Sequence, residues 1–304
     1  MENKQEWLQE RKKYIGGSDI GGILALKDSY KTPLDVYLSK ISQEEKVEEE
    51  LSEPAYWGNR LEDIVAEEYS IRTKTTLSQE NRLLNHKEYP FLAANVDRWV
   101  NDEYLLECKT AGFMMNKNWG EEESEDIPPS YYAQVAWYSA IANVKKVDIA
   151  VLIGGQKFKI YTYNKDTQFE DNLIKKGVNF WKNHVEKRIP PAPVNFDDLK
   201  LLYPESANRG VYATEEIERM LSEMKVLKEQ EKGINKALDE LKFSVQSFMQ
   251  DNEVLLNGND KKIATWKSSA IRRLIDAAKL EAEYKEAYKA CSKLSSPSRT
   301  FLVK

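Results

Sequence analysis

The chain has 304 residues, 41% hydrophobic and 31% charged, enough to bury a sizeable core in one large domain with an appendage. Two cysteines (Cys108, Cys291) and two histidines (His86, His184) exclude a disulfide framework, four-cysteine zinc and iron–sulfur sites, and a multi-histidine metal site. The net charge of −5 is uneven: residues 254–304 hold eleven Lys and Arg against five Asp and Glu, a local +6, which leaves −11 for the first 253 residues.

The polar start MENKQEW is no signal peptide, and no apolar run approaches the roughly 18–20 residues that span a bilayer, so a cytoplasmic protein with no membrane partner is expected. Residues 5–41 read as short helices: one carries Trp7, Leu8 and Arg11, a second covers Ile20–Leu26, and a third starts after Thr32-Pro33. Arg11 precedes Gly16-Gly17-Ser18-Asp19, where Ser18 suits an N-cap and glycines expose amides able to hold a phosphate. An ordinary flexible cap is the plainer reading, and no Gly-Lys-Ser/Thr makes this a P-loop. The acidic run EEKVEEELSE (44–53) reads as a loop, and Pro54–Arg72 as an amphipathic helix with Leu61, Ile64, Val65, Glu68 and Tyr69 on one face. Glu62 falls near that helix start, where an acid can simply complement the helix dipole.

Strands are expected near 76–85, 91–100 and 104–110. Leu92–Val100 and Tyr104–Lys109 flank Asn101-Asp102-Glu103, a turn sequence. If Val100 pairs with Tyr104, Asp97 falls opposite Glu107, and alternation puts Lys109 on the face of Glu107. Two adjacent carboxylates repel, a hard divalent cation relieves that repulsion, and a neighbouring ammonium can orient a water for attack on phosphorus. Such a constellation outlines a metal-dependent phosphodiesterase. Glu-x-Lys alone means little, since it occurs seven times here, and only the copy at Glu107 sits in an apolar strand facing an acid.

Pro128–Asn143 follows as a helix in which Gln134 is a polar residue among Tyr131, Tyr132, Val135, Trp137 and Tyr138; if buried it needs a partner. Strands at 147–153 and 157–163 join through Gly154-Gly155, and Asp166–Lys187 is a long helix. The expected fold is therefore α/β (α+β), a central mixed sheet flanked by helices, over residues 1–188. Residues 189–209, Pro-rich, read as a linker; 210–250 as a heptad-patterned helix or helical hairpin, open to self-association; and 251–304 as a small basic tail with strands near 253–257, 261–267 and 299–303.

These pieces in this order resemble the YqaJ-like viral recombinase family, relatives of the lambda-type phage exonuclease within the PD-(D/E)xK superfamily. The matches are Trp7-Leu8-x-x-Arg11 leading to Gly17-Ser18, Gly58-x-x-Leu61-Glu62, Asp97, Glu107-Cys108-Lys109 and Gln134, with Ala94-Asn95-Val96-Asp97 departing from the proline-containing motif that names the superfamily. The resemblance implies a PD-(D/E)xK core and a 5′→3′ exonuclease on double-stranded DNA ends, leaving a 3′ overhang for a single-strand annealing protein. It further implies that Asp97, Glu107 and the main-chain carbonyl of Cys108 bind Mg²⁺ or Mn²⁺, with Glu62 completing or supporting a second metal position. Lys109 and Gln134 would act on the attacking water, and Arg11 and Ser18 on the 5′-phosphate. A homotrimeric ring and a phage or prophage origin are also implied. Two rivals are a structure- or site-specific endonuclease with the same metal site, and a non-catalytic DNA-binding recombination scaffold. An iron–sulfur nuclease fails on the cysteine count.

Overall fold

The computed structural model describes residues 9–42, 52–79, 82–122, 124–293 and 298–303. Trp7, Leu8 and most of the acidic 44–53 run lie outside those residues. The chain forms two compact units, Met1–Leu202 and Tyr203–Lys304. No helix among the described residues is long and apolar enough to cross a membrane.

In the first unit, residues 9–12, which carry Arg11, are helical, and α1 (Gly17–Ile23), α2 (Pro33–Ile41) and α3 (Glu53–Thr73) follow before the sheet. Thr32 caps α2 by accepting from the Asp35 amide while Asp35 accepts from the Thr32 amide, with Pro33 in the first turn. The sheet then builds from β1 (Leu77–Ser78), β4 (Arg98–Val100), β5 (Tyr104–Ala111), β6 (Lys146–Ile153) and β7 (Lys157–Asn164), in the spatial order β1-β4-β5-β6-β7. A separate ribbon pairs β2 (Leu84–Asn85) with β3 (Ala93–Ala94). β5 and β6 are parallel and the other neighbours antiparallel, so the sheet is mixed as expected. The parallel step needs a crossover, which is α4 (Pro129–Ala142).

The β4–β5 hairpin has the expected register, Val100 opposite Tyr104. Asn101 and Asp102 both take positive φ (51° and 57°), a conformation those residues tolerate, and so fix the turn and the register with it. The single strand expected over Leu92–Val100 is instead interrupted. Ala93–Ala94 joins β2, and Asn95–Asp97 leave the ladder before β4 begins. Leu92 also bridges to Ile15, which ties the N-terminal segment to this edge.

One sheet face is covered by α1, α4 and α5 (Thr167–Phe180, continued by a π turn over Trp181–Val185), around Ile15, Ile20, Leu105, Trp137, Ile149 and Leu173. Trp137 is fully buried and its indole donates to the Ala93 carbonyl at 2.8 Å. The opposite face packs on α3 through Val65, Ala66 and Tyr69, whereas Ile64, expected on that stripe, faces out. The segment expected to be only a linker contains α6 (Phe196–Leu202), and it belongs to the first unit. Asp198 is buried there because it accepts from the Thr32 hydroxyl (2.8 Å) and the Val194 amide (2.9 Å).

The second unit is built on one unbroken helix, α7 (Glu215–Met249), capped by Thr214, rather than a hairpin. Its heptad stripe is exposed and only Met249 is buried. The ribbon β8 (Val254–Leu256) and β9 (Lys262–Thr265) follows, then α8 (Ala277–Glu283) and α9 (Lys285–Cys291). Residues 299–303 form no strand, contrary to the expectation there.

Asp19 on α1 is 1% exposed and ties three segments together, accepting from Lys40 and Lys31 (2.6 Å each) and from the Gly16 amide (3.2 Å). Burial alone would raise its pKa, but Lys40, Lys31 and Arg11 outweigh it and hold the carboxyl well below the usual range. Burial lowers Lys40 more than Asp19 raises it, so the acid-side dependence belongs to Asp19. Its folded pKa lies below the unfolded one. The stability it confers is therefore present above about pH 4 and is lost as pH falls below that. Asp19→Asn, which leaves Lys40 buried without its counter-charge, should cost about 3–5 kcal/mol in urea unfolding at pH 7 and flatten the acid limb of the stability curve; an unchanged acid limb would contradict this assignment.

Candidate active site

β5 carries Glu107, Cys108 and Lys109 toward the end of the sheet where β4 has stopped. Asp97 sits just before β4, and its Oδ2 accepts from the Cys108 amide at 2.8 Å, so the expected neighbourhood of Asp97 and Glu107 is present although Asp97 itself is not in a strand. Glu107 is 3% exposed. Its Oε1 accepts from Lys109 Nζ and from Gln134 Nε2 (2.7 Å), whereas its buried Oε2 has no hydrogen-bond partner. Burial first, and Glu107 next, push the Asp97 carboxyl up to about 7, against the opposing pull of Lys109 and the Cys108 amide. For Lys109, burial acts downward but Glu107 and Asp97 outweigh it and raise the ammonium to about 12.

Gln134 is buried on α4, one turn before Tyr138. Both of its amide hydrogens are spent, one on Glu107 and one on the Tyr138 hydroxyl (2.8 Å), which leaves Oε1 as its acceptor. Tyr138 in turn packs so closely on the start of α1 that a Cβ on Gly17 would stand 2.3 Å from its ring. Glycine is required there by close approach, and the first turn of α1, which carries Ser18 one residue inside the helix with Gly16 rather than Ser18 as its N-cap, is thereby fixed against the helix carrying Gln134. Arg11 Nη2 donates to Ser18 Oγ at 2.6 Å.

Two clefts meet at Lys109. One, of about 240 Å³, is lined by Gly58, Asn59, Glu62, Asp97, Glu107 and Cys108 together with Lys109. The other, of about 360 Å³, is lined by Arg11, Ser18, Lys31, Tyr131 and Gln134 together with Lys109. All the residues singled out in the sequence therefore line one of two adjoining clefts. Glu62 is not in the first turn of its helix but mid-helix in α3, and it is turned toward Arg98, whose Nη1 donates to it at 2.9 Å. Burial and Asp97 raise the Glu62 pKa, against the pull of Arg98.

Arg98, 7% exposed, also pairs with Asp63 and donates to the Asp97 carbonyl at 2.6 Å. Neither Arg98 nor Tyr138 stands out in the sequence. The available signals were a cation adjoining Asp97 and a tyrosine four residues after Gln134, one helical turn away. Tyr131 also escaped notice; Lys109 Nζ lies 5.0 Å from its ring centre.

The donor set suits a hard divalent cation. Asp97 and Glu107 supply oxygens, the buried Glu107 Oε2 has no donor, and Cys108 lines the same cleft. Among the described residues, no three His, Cys, Asp or Glu side chains converge as a complete metal cage, and Glu62 pairs with Arg98. Mg²⁺ sites are commonly made by one or two carboxylates completed by water and substrate phosphate, which two carboxylates can satisfy.

Residues 6–145 match the YqaJ-like viral recombinase domain. The uncharacterized protein YqaJ of Bacillus subtilis (strain 168) is 36% identical over 299 residues, covering 96% of this chain and 91% of that protein. Among solved structures, the chain is similar to an alkaline exonuclease from Laribacter hongkongensis, with TM-score 0.48 and 16% identity over 65% of this chain and 96% of that one. It is also similar to a phage-related exonuclease from Haemophilus somnus 129PT, with TM-score 0.43 and 11% identity over 58% of this chain and 95% of that one. By its identity to a full-length relative and its match to the family domain, the chain belongs to the YqaJ-like viral recombinase family.

Proposed function

We propose that this protein is a metal-dependent DNA exonuclease that hydrolyses one strand 5′→3′ from a duplex end and leaves a 3′ overhang for a single-strand annealing protein. The observation that carries this reading is the meeting at Lys109 of a carboxylate cleft and a cleft holding the Arg11–Ser18 pair. The first suits hydrolysis of a phosphodiester, the second the binding of an end phosphate.

Asp97, Glu107 and the Cys108 carbonyl would hold Mg²⁺ or Mn²⁺, with Glu62 able to support a second position on release from Arg98. When bound, the cation supplies Lewis-acid polarisation of the scissile phosphate and stabilises the charge that develops on it. Lys109, fixed by Glu107 and by the Tyr131 ring, donates to a non-bridging oxygen or to the attacking water. Gln134, whose amide is oriented by Glu107 and Tyr138, offers Oε1 as an acceptor that aims the water. Arg11 provides two parallel donors to a terminal phosphate, a fit that a lysine lacks. Ser18 Oγ adds a short polar contact at the same place.

Lys109→Ala should lower kcat for linear duplex about 10²–10³-fold while Mn²⁺ affinity, read by calorimetry, stays within about threefold. Cleavage at the wild-type rate would remove Lys109 from the site. Arg11→Ala should reduce the preference for 5′-phosphorylated over 5′-hydroxyl ends about tenfold or more, again with metal affinity retained; equal losses on the two kinds of end would count against the phosphate pocket.

A further inference from the structure

Residues 254–275 concentrate charge of the opposite sign to the rest of the protein: Lys261, Lys262, Lys267, Arg272 and Arg273 against the single acid Asp260. Lys267 is 3.6 Å from Glu253, so its charge is partly offset. Among the described residues, no carboxylate lies within ion-pair distance of Lys261, Lys262, Arg272 or Arg273. The β8–β9 ribbon gives this charge a rigid base. The Trp266 amide donates to the Glu253 carbonyl at 2.9 Å, which carries the ladder one residue past β9. Strand alternation then sets Ala264 and Trp266 on one side of the ribbon, while the register shift that pairs Leu256 with Lys262 turns Lys262 to the other, so that the cations flank the indole on both faces of a narrow two-stranded ribbon. Trp266 is 46% exposed, and the stretch that follows it, with Arg272 and Arg273, is exposed and without regular structure.

An exposed indole in the same thirteen-residue stretch as four unpaired cations combines a stacking surface for an unpaired base with neutralisation of a phosphate backbone. A duplex offers the phosphates but not the bases, so this combination favours a single strand. We propose that residues 261–273 of the C-terminal unit form a second nucleic-acid site that binds single-stranded DNA. The inference rests on DNA being the substrate and adds to it a hold on DNA outside the active-site clefts.

The test is fluorescence anisotropy of the full chain with labelled 40-nucleotide poly(dT) in EDTA, where no hydrolysis intervenes, across a salt series. A duplex of equal length and vesicles with 30% phosphatidylserine are run beside it. Replacing Lys261, Lys262, Arg272 and Arg273 together by Ala should weaken poly(dT) binding at least tenfold and reduce the slope of log K against log salt by about 3. Trp266→Ala should weaken binding roughly tenfold with the slope unchanged. Digestion of a 12-base-pair duplex should be the same for both variants and wild type, and circular dichroism confirms that they fold. Unaltered poly(dT) affinity in the fourfold variant overturns the proposal. So does a loss confined to the duplex or to the vesicles. Poly(dT) binding that depends on these residues, in a protein that digests no DNA, would sink the exonuclease reading and leave this site standing.

Discussion

Asp97 and Glu107 place two negative charges side by side in a poorly solvated corner of the sheet, and their neighbours are arranged around that repulsion. Lys109 and Gln134 both donate to one oxygen of Glu107, and the Cys108 amide donates to Asp97. The compensation is incomplete: Asp97 is left with a carboxyl raised to about 7, and Glu107 with one buried, unpartnered oxygen. A buried acceptor without a donor costs about 1–3 kcal/mol, and an ionised one more. A fold that retains such a defect in a residue lining a cleft is poised to receive positive charge there. This links a structural cost to the chemistry proposed for the site.

The scaffold supplies three independent supports for that corner. The hairpin sets Asp97 against β5 through its register, and the α4 crossover delivers Gln134 from above the parallel β5–β6 step. The first turn of α1 is brought in by the Asp19 pairs with Lys31 and Lys40, and by the close contact of Gly17 with Tyr138. A buried hydrogen-bonded chain runs from Glu107 through Gln134 to Tyr138, and Gly17 packs on Tyr138 next to the exposed Ser18 that Arg11 holds. Polar networks of this kind rigidify a site when their members are satisfied, and here the one unsatisfied atom belongs to Glu107, which lines the carboxylate cleft.

Much of this was legible in the sequence where local chemistry decides the structure. Asn101 and Asp102 tolerate positive φ, so the turn fixed the register and the register placed Asp97 near Glu107. Thr32-Pro33 and Thr214 start their helices by capping, and Gly154-Gly155 makes the β6–β7 turn with positive φ at both residues. Features set by distant contacts were not legible. Arg98 looks like any strand residue until Glu62 and Asp63 approach it from α3. The segment around α6 reads as linker because its proline content is local, whereas the bond from Thr32 to Asp198 spans 166 residues. The interruption of Leu92–Val100 likewise arises from pairing with β2 and with Ile15, which the alternation of side chains does not encode.

Hydrolysis proposed to begin at a duplex end and to consume the 5′ strand is tested by digestion with Mg²⁺, and separately Mn²⁺, of a linear duplex labelled on each strand in turn, beside a closed circular duplex of the same sequence. End-directed digestion gives progressive loss of label from the 5′-terminated strand at each end, a persistent 3′ strand, and an intact circle. Nicking or linearisation of the circle, or no digestion with either metal, would contradict the proposal.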